Sequence, residues 1–237
     1  MNKKACEEEE RNENTQLNNP LKIIESPSGK IIDFYLINEI RNIQDYLDFL
    51  REVENAKNED VVKVHINNYG GALDVAMNIY DVLQQSKASI QISVEGACAS
   101  AASMIMLAGN EWFIYPHAWV MIHSFSGVEY GKWNEMKASH EFSARVTENR
   151  FRKLYKNFLT DEEIEDCLKG KDFYFDNEET LNRIQNYQAD VLKKQKAIQE
   201  VTARYQEAIN KEISAILTED AVENPKPKRK KLVEEKD

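Results

Sequence analysis

Between residues 21 and 217 the spacing of apolar residues changes several times, and each change marks an element. Leu21 to Ile37 holds two apolar runs on either side of Ser26-Pro27-Ser28-Gly29, a turn signal, and the second run reads as a strand. Ile40, Ile43, Tyr46, Leu47, Leu50 and Val53 then recur at helical spacing. Next come a strand Val61–Ile66, a glycine turn at Gly70-Gly71, a helix Ala72–Gln85 and a strand Ile90–Val94 that breaks at Gly96 into small residues. That run enters a helix near Ser100–Ala108, and two short strands follow, Trp112–Tyr115 and Trp119–Ile122. Helices are expected from about Asn134 to Phe158 and near Asp161–Leu168. Strands alternating with helices at this spacing predict parallel βαβ units and an α/β domain.

The stretch from Glu178 to Leu217 has neither Gly nor Pro, and Ile184, Val191, Ile198 and Tyr205 repeat every seven residues. Leu181, Tyr187, Val201 and Ala208 widen the seam, which Lys194 interrupts. The pattern predicts an amphipathic helix longer than its domain needs, either folded back on the core or offered to a partner. Residues 1–20 are polar and lack any hydrophobic period, so they read as a flexible acidic arm. The expected organisation is that arm, a domain over 21–180, a long helix over 181–217, and a basic to mixed-charge tail over 218–237.

Of the 237 residues 42% are apolar, enough for one core of roughly 150–200 residues. The net charge of −10 is unevenly spread: residues 1–20 carry three positive and five negative charges and residues 225–237 six and three, leaving −11 on the body. An acidic body repels a phosphate backbone, so nucleic-acid binding by the core is not expected. No apolar run approaches the ~20 residues of a membrane span, and the start turns acidic where a secretory signal turns apolar. Cys6, Cys98 and Cys167 are odd in number and lack metal-ligand spacing, so no metal site is expected and a reducing, cytoplasmic setting fits.

A serine hydroxyl becomes a useful nucleophile when an imidazole accepts its proton. Of the four histidines, His65 falls in a strand, His117 in a loop and His140 in a helix, whereas His123 ends the apolar strand Trp119–Ile122 at the edge where α/β proteins place their sites. Serine candidates are Ser100 and Ser103 in Glu95-Gly96-Ala97-Cys98-Ala99-Ser100-Ala101-Ala102-Ser103-Met104. Tiny residues before a helix start let another backbone approach and leave N–H groups for a developing oxyanion; the same composition also suits a tightly packed helix. Asn67-Asn68-Tyr69-Gly70-Gly71 is equally two-sided, an anion site or a turn.

In this order the segments VKVHIN with NNYGG, ALDVAMNIYDVLQ, GACASAASMIMLAG, YPHAWVMIH and KDFYFDNEETL resemble the Clp protease proteolytic subunit (ClpP) family of serine peptidases, over roughly Ile31 to Thr180. The resemblance implies a ClpP/crotonase-like fold of repeated βαβ units. Laid on the family motifs without gaps, it makes Ser100 the nucleophile, His123 the base and Asp172 the orienting acid, in preference to Ser103, Asp166 and Asp176. It also implies an oxyanion hole from the backbone N–H groups of Gly71 and Ala101. A peptide substrate would lie extended between Gly70 and a strand edge at Gly127 and Val128. The family further implies a homo-oligomer of stacked rings with the serines inside a chamber. It brings no cofactor in the chain, and ATP would enter only through an AAA+ unfoldase partner.

The chain departs from the family at three places. Asn67-Asn68-Tyr69 replaces Asn-Ser-Pro, His123-Ser124-Phe125 replaces His-x-Pro, and the glycine-containing end after the acid is missing, with Ile184 in its place. This pattern is similar to divergent Clp-like proteases of phage type, whose role can be capsid maturation. An inactive scaffold and a crotonase-like acyl-CoA enzyme share the fold; the second needs no Ser-His-Asp series.

Overall fold

Four parallel pairings and two antiparallel ones join seven strands into one sheet. The computed structural model describes residues 19–127 and 130–223; the expected N-terminal arm up to residue 18, the tail from 224 and Val128 lie outside them. The strands are β1 (Leu21–Ser26), β2 (Gly29–Leu36), β3 (Val61–Asn68), β4 (Ser89–Ala99), β5 (Glu111–Ile114), β6 (Trp119–Ile122) and β7 (Phe173–Phe175). They run in the order β1-β2-β3-β4-β6-β7, with β5 also on β4. The helices are α1 (Leu47–Glu54, after a 3-10 turn at Ile43–Tyr46), α2 (Leu73–Gln85), α3 (Ala101–Met106), α4 (Trp133–Tyr155), α5 (Asp161–Leu168) and α6 (Asn177–Glu223).

Alternation along the central strands decides which face is core. Ile32, Phe34 and Leu36 of β2, Val62, Val64 and Ile66 of β3, and Ile90, Ile92 and Val94 of β4 are all buried. Period 2 puts these residues on one face. Helices α1, α2 and α3 supply the other half of that core with Phe49, Leu50 and Val53, Ile79 and Leu83, and Ile105 and Met106. The opposite face carries polar neighbours in register, Tyr35 beside His65 beside Ser93. There His65 contacts Asp33 through Nε2 at 2.8 Å and Glu95 through Nδ1 at 2.6 Å, and Tyr35 stacks on its ring.

Strand β4 does not end at Val94 as the sequence suggested; it continues through Gly96 to Ala99. The pairing with β3 slips between Ile66↔Val94 and Asn68↔Cys98, a bulge, and Gly96 makes room for it. A β-carbon on Gly96 would lie 2.5 Å from Asn67 Oδ1, the same oxygen that accepts from the Ala97 N–H at 3.1 Å. Past the bulge β4 leaves β5 and pairs with β6 instead, which sets the end of β6 beside the end of β4.

The long C-terminal helix is present and reaches Glu223, beyond the expected Leu217. Its first turns belong to a compact unit ending at Gln188, where Ile184 and Tyr187 are buried and Tyr187 donates to the Leu107 carbonyl at 3.1 Å. The second unit starts at Ala189, and along it Leu192, Val201, Tyr205 and Ile209 are exposed.

Candidate active site

Ser100 stands where β4 gives way to α3, with φ 54° and ψ −124°. A non-glycine residue there costs on the order of 1–3 kcal/mol and needs its surroundings to hold it. The Ser100 N–H donates to the Met121 carbonyl at 2.8 Å, extending the β4–β6 ladder into the turn. Gly70 supports it from the other side: a β-carbon on Gly70 would sit 2.7 Å from the Ser100 β-carbon and 3.0 Å from the Ala101 nitrogen. A sharp strand-to-helix turn of this kind presents its hydroxyl at the end of the sheet.

His123 follows the last residue of β6, and its Nε2 is 2.7 Å from Ser100 Oγ. With the proton on Nδ1, Nε2 accepts from the hydroxyl, the arrangement a general base needs.

Ser103, one turn along α3, is fully buried and differently engaged. Its Oγ donates to the Ser100 carbonyl at 2.6 Å and lies 2.6 Å from the Tyr155 hydroxyl. One hydroxyl has one proton, so Tyr155 donates to Ser103. Burial holds the Tyr155 phenol well above its ordinary range, which keeps it a neutral donor. Ser103 therefore braces the turn that carries Ser100.

Strands β6 and β7 pair antiparallel and their ladder ends at Ile122 opposite Phe173, so His123 follows that last pair on one strand and Asp172 precedes it on the other. Asp172 is exposed and, among the described residues, makes no hydrogen bond or ion pair. The alternative acids are occupied. Asp166 accepts from Lys171 Nζ at 3.1 Å, and Asp176 accepts from the Glu179 N–H at 2.9 Å, at the start of α6.

The glycine segment is held by Asn68, only 1% exposed, whose Oδ1 accepts from the Gly70 N–H at 2.7 Å while Nδ2 donates to the Asn38 carbonyl at 2.6 Å. Ile40 clamps both flanks: its N–H donates to the Gly70 carbonyl at 3.0 Å and its carbonyl accepts from the Ala72 N–H at 2.6 Å. The Gly71 N–H has no acceptor among the described residues. Ala101, the first residue of α3, has an N–H with no intrahelical acceptor by position. Both are backbone donors beside Ser100 suited to a developing oxyanion.

Gly71, Ser100, Ala101 and His123 open into a cleft of about 470 Å³ whose deeper walls are Met104 and Phe151. Phe125 and Ser126 close one side. Of the residues expected to contact substrate, Gly70 and Gly127 are among those described. Gly70 donates its N–H to Asn68 and accepts from the Ile40 N–H within the chain. Ser126 and Gly127 are not in a strand, and Gly127 faces a separate groove with Trp133, Met136 and His140. Val128 lies outside the described residues.

The bonds of Tyr155 and of Asn68, named above only within its glycine segment, leave no local signal, since an aromatic ending an apolar stripe and an Asn beside glycines look the same with or without them. Cys98 and Cys167 are buried free thiols; burial raises both, and burial with help from Asp172 takes Cys167 to about 11. Among the described residues no His, Cys, Asp and Glu group is arranged to hold a metal ion, and no helix is long and apolar enough to cross a membrane. Comparison with protein families matches residues 28–183 to the family described as Clp protease. The match begins at the β1–β2 turn and ends in the first turns of α6, so it encloses the cleft and every residue around it.

Proposed function

Because the chain belongs to the Clp protease family, with residues 28–183 matched, we propose that it is a serine endopeptidase whose Ser100 attacks the peptide carbonyl. The observation that carries the proposal is the 2.7 Å contact between His123 Nε2 and Ser100 Oγ at a strained strand-to-helix turn. His123 takes the hydroxyl proton as Oγ bonds to the carbonyl carbon and returns it to the leaving amine; water then repeats the sequence on the acyl-enzyme. The N–H groups of Gly71 and Ala101 hold the oxyanion in each tetrahedral intermediate. Asp172 orients the imidazole and stabilises its cation. Its support is its place next to the last β6–β7 pair, which His123 also adjoins, and the engagement of Asp166 and Asp176 elsewhere.

Catalysis needs no cofactor in this chain. An indiscriminate peptidase is tolerable in cytoplasm only when its sites are enclosed, so the working form is a homo-oligomer of stacked rings. An AAA+ unfoldase spending ATP feeds it polypeptide. A phage-type head maturation protease is the second reading, favoured by the long helix that continues from the matched region to Glu223. Light scattering reads assembly directly: a mass far above 27.5 kDa is expected, and a monomer that digests loosely folded casein freely contradicts the enclosed chamber.

A further inference from the structure

One carboxylate lines the proposed catalytic cleft, and none of the described residues pairs with it. Asp74 lines the cleft together with Gly71, Ser100 and His123. It is exposed and, among the described residues, makes no ion pair or hydrogen bond. Apart from His123, every other side chain lining the cleft is uncharged. The walls between are apolar: Met104 is 8% exposed, Phe151 is 2% exposed, and Leu73 adds an aliphatic side next to Asp74.

A cleft lined by apolar side chains and one exposed carboxylate matches an amphipathic occupant. Lysine and arginine side chains have that form, a methylene stem that gains from apolar contact and a cationic head that stays in water. A purely aliphatic side chain satisfies the walls and leaves the carboxylate unpaired. A glutamate brings like charge to the same edge and is disfavoured. Asp74 also stands in the first turn of α2, where a carboxylate favours the helix dipole. That role accounts for an acid in the turn but confers no preference among substrates, so the two roles separate by experiment.

We infer that Asp74 sets a preference for a basic side chain, lysine or arginine, in the polypeptide residue that enters the cleft beside Ser100. The inference rests on the peptidase reading of that cleft and adds a substrate class to it. An exposed pair of this kind is worth a factor of about two to five, and salt weakens it.

The test uses full-length protein and quenched peptides carrying Lys, norleucine or Glu at either position flanking the cleaved bond, with cut sites read by mass spectrometry. Wild type is expected to give a kcat/KM ratio of Lys over norleucine of about three at one of these positions, falling towards one at high salt. Asp74→Asn brings the ratio to one at all salt concentrations, and Asp74→Lys turns the preference towards Glu. A Lys to norleucine ratio unmoved by both variants overturns the inference, whatever happens to total rate. In parallel, the same peptides in fluorescent form bind Ser100→Ala protein, with and without Asp74→Asn, followed by anisotropy. This arm reads the preference without turnover: a wild type that cleaves nothing sinks the peptidase reading, while the affinity ratio still decides the role of Asp74.

Discussion

The turn carrying Ser100 and the edge carrying Asp172 belong to the same proposed catalytic series but are built to different standards. Around Ser100 the backbone and side-chain groups are committed: Met121 accepts its N–H, Ser103, itself held by Tyr155, donates to its carbonyl, and Gly70 approaches its β-carbon so closely that only a glycine fits there. Asp172 precedes a three-residue strand, is exposed, and forms no bond to His123. The proposed nucleophile and base already meet within this one chain, at the ends of β4 and β6. The proposed acid precedes a strand at the edge of the sheet, paired with β6, and catalytic hydrogen bonds often tighten only when substrate binds.

Ser100→Ala tests the ordered side with the largest effect. Peptide turnover should fall by about a millionfold, to the level left by binding and the oxyanion donors. Asp172→Asn probes the loose side and should lower turnover by roughly ten-thousandfold with fold and oligomer retained, because the imidazole is then held in the wrong tautomer. Asp166→Asn and Asp176→Asn should lose little, Asp176→Asn least, since Asn caps a helix as well as Asp. If Asp166→Asn is dead and Asp172→Asn active at matched oligomer content, the acid must be reassigned.

A smaller loss is expected at the glycine turn. A β-carbon on Gly71, where φ is 145°, would lie 2.0 Å from the Ile40 carbonyl oxygen, a backbone atom that cannot step aside. Gly71→Ala should therefore move the oxyanion donor and cost at least a hundredfold in kcat, accompanied by a lower melting temperature. Ser103→Ala sharpens the contrast between the two serines. It leaves the Tyr155 hydroxyl buried without its acceptor, a destabilisation of about 1–3 kcal/mol in denaturant titration, while part of the activity survives.

The smallest effect concerns the start of α6. Hydrogen bonds from Arg183, at 2.7 and 2.8 Å, hold the Glu163 carboxyl below its ordinary range. A carboxyl with a depressed folded-state pKa contributes stability above its unfolded pKa and loses it as pH falls through the folded value. Glu163→Gln should melt earlier than wild type near neutral pH, and the difference should shrink in acid.

Much of this was legible before any coordinates, and for physical reasons. Alternation in Val61–Ile66 and Ile90–Val94 maps onto burial, so strands and their core face could be read from local pattern. The choice of Ser100, His123 and Asp172 over Ser103, Asp166 and Asp176 comes from the resemblance to the Clp protease family, whose motifs lie on this chain without gaps; residue types and spacing alone leave both serines open. The continuation of β4 through Gly96 was not legible, since it depends on Asn67 filling the place of a missing β-carbon from another strand. The bond between Ser103 and Tyr155 joins residues 52 apart and leaves no local trace. Asp74 stands in the first turn of a helix, where an acid is common, and only the folding of the chain sets it on the cleft wall.

The central claim is that Ser100, activated by His123, is the reactive hydroxyl of this chain. A fluorophosphonate probe incubated with the full-length native protein, followed by intact mass and peptide mapping, reads it directly. One probe adduct per chain on Ser100, absent in Ser100→Ala and strongly slowed in His123→Ala, is the expected result. An adduct on Ser103, or equal labelling of the His123→Ala variant, would contradict the account.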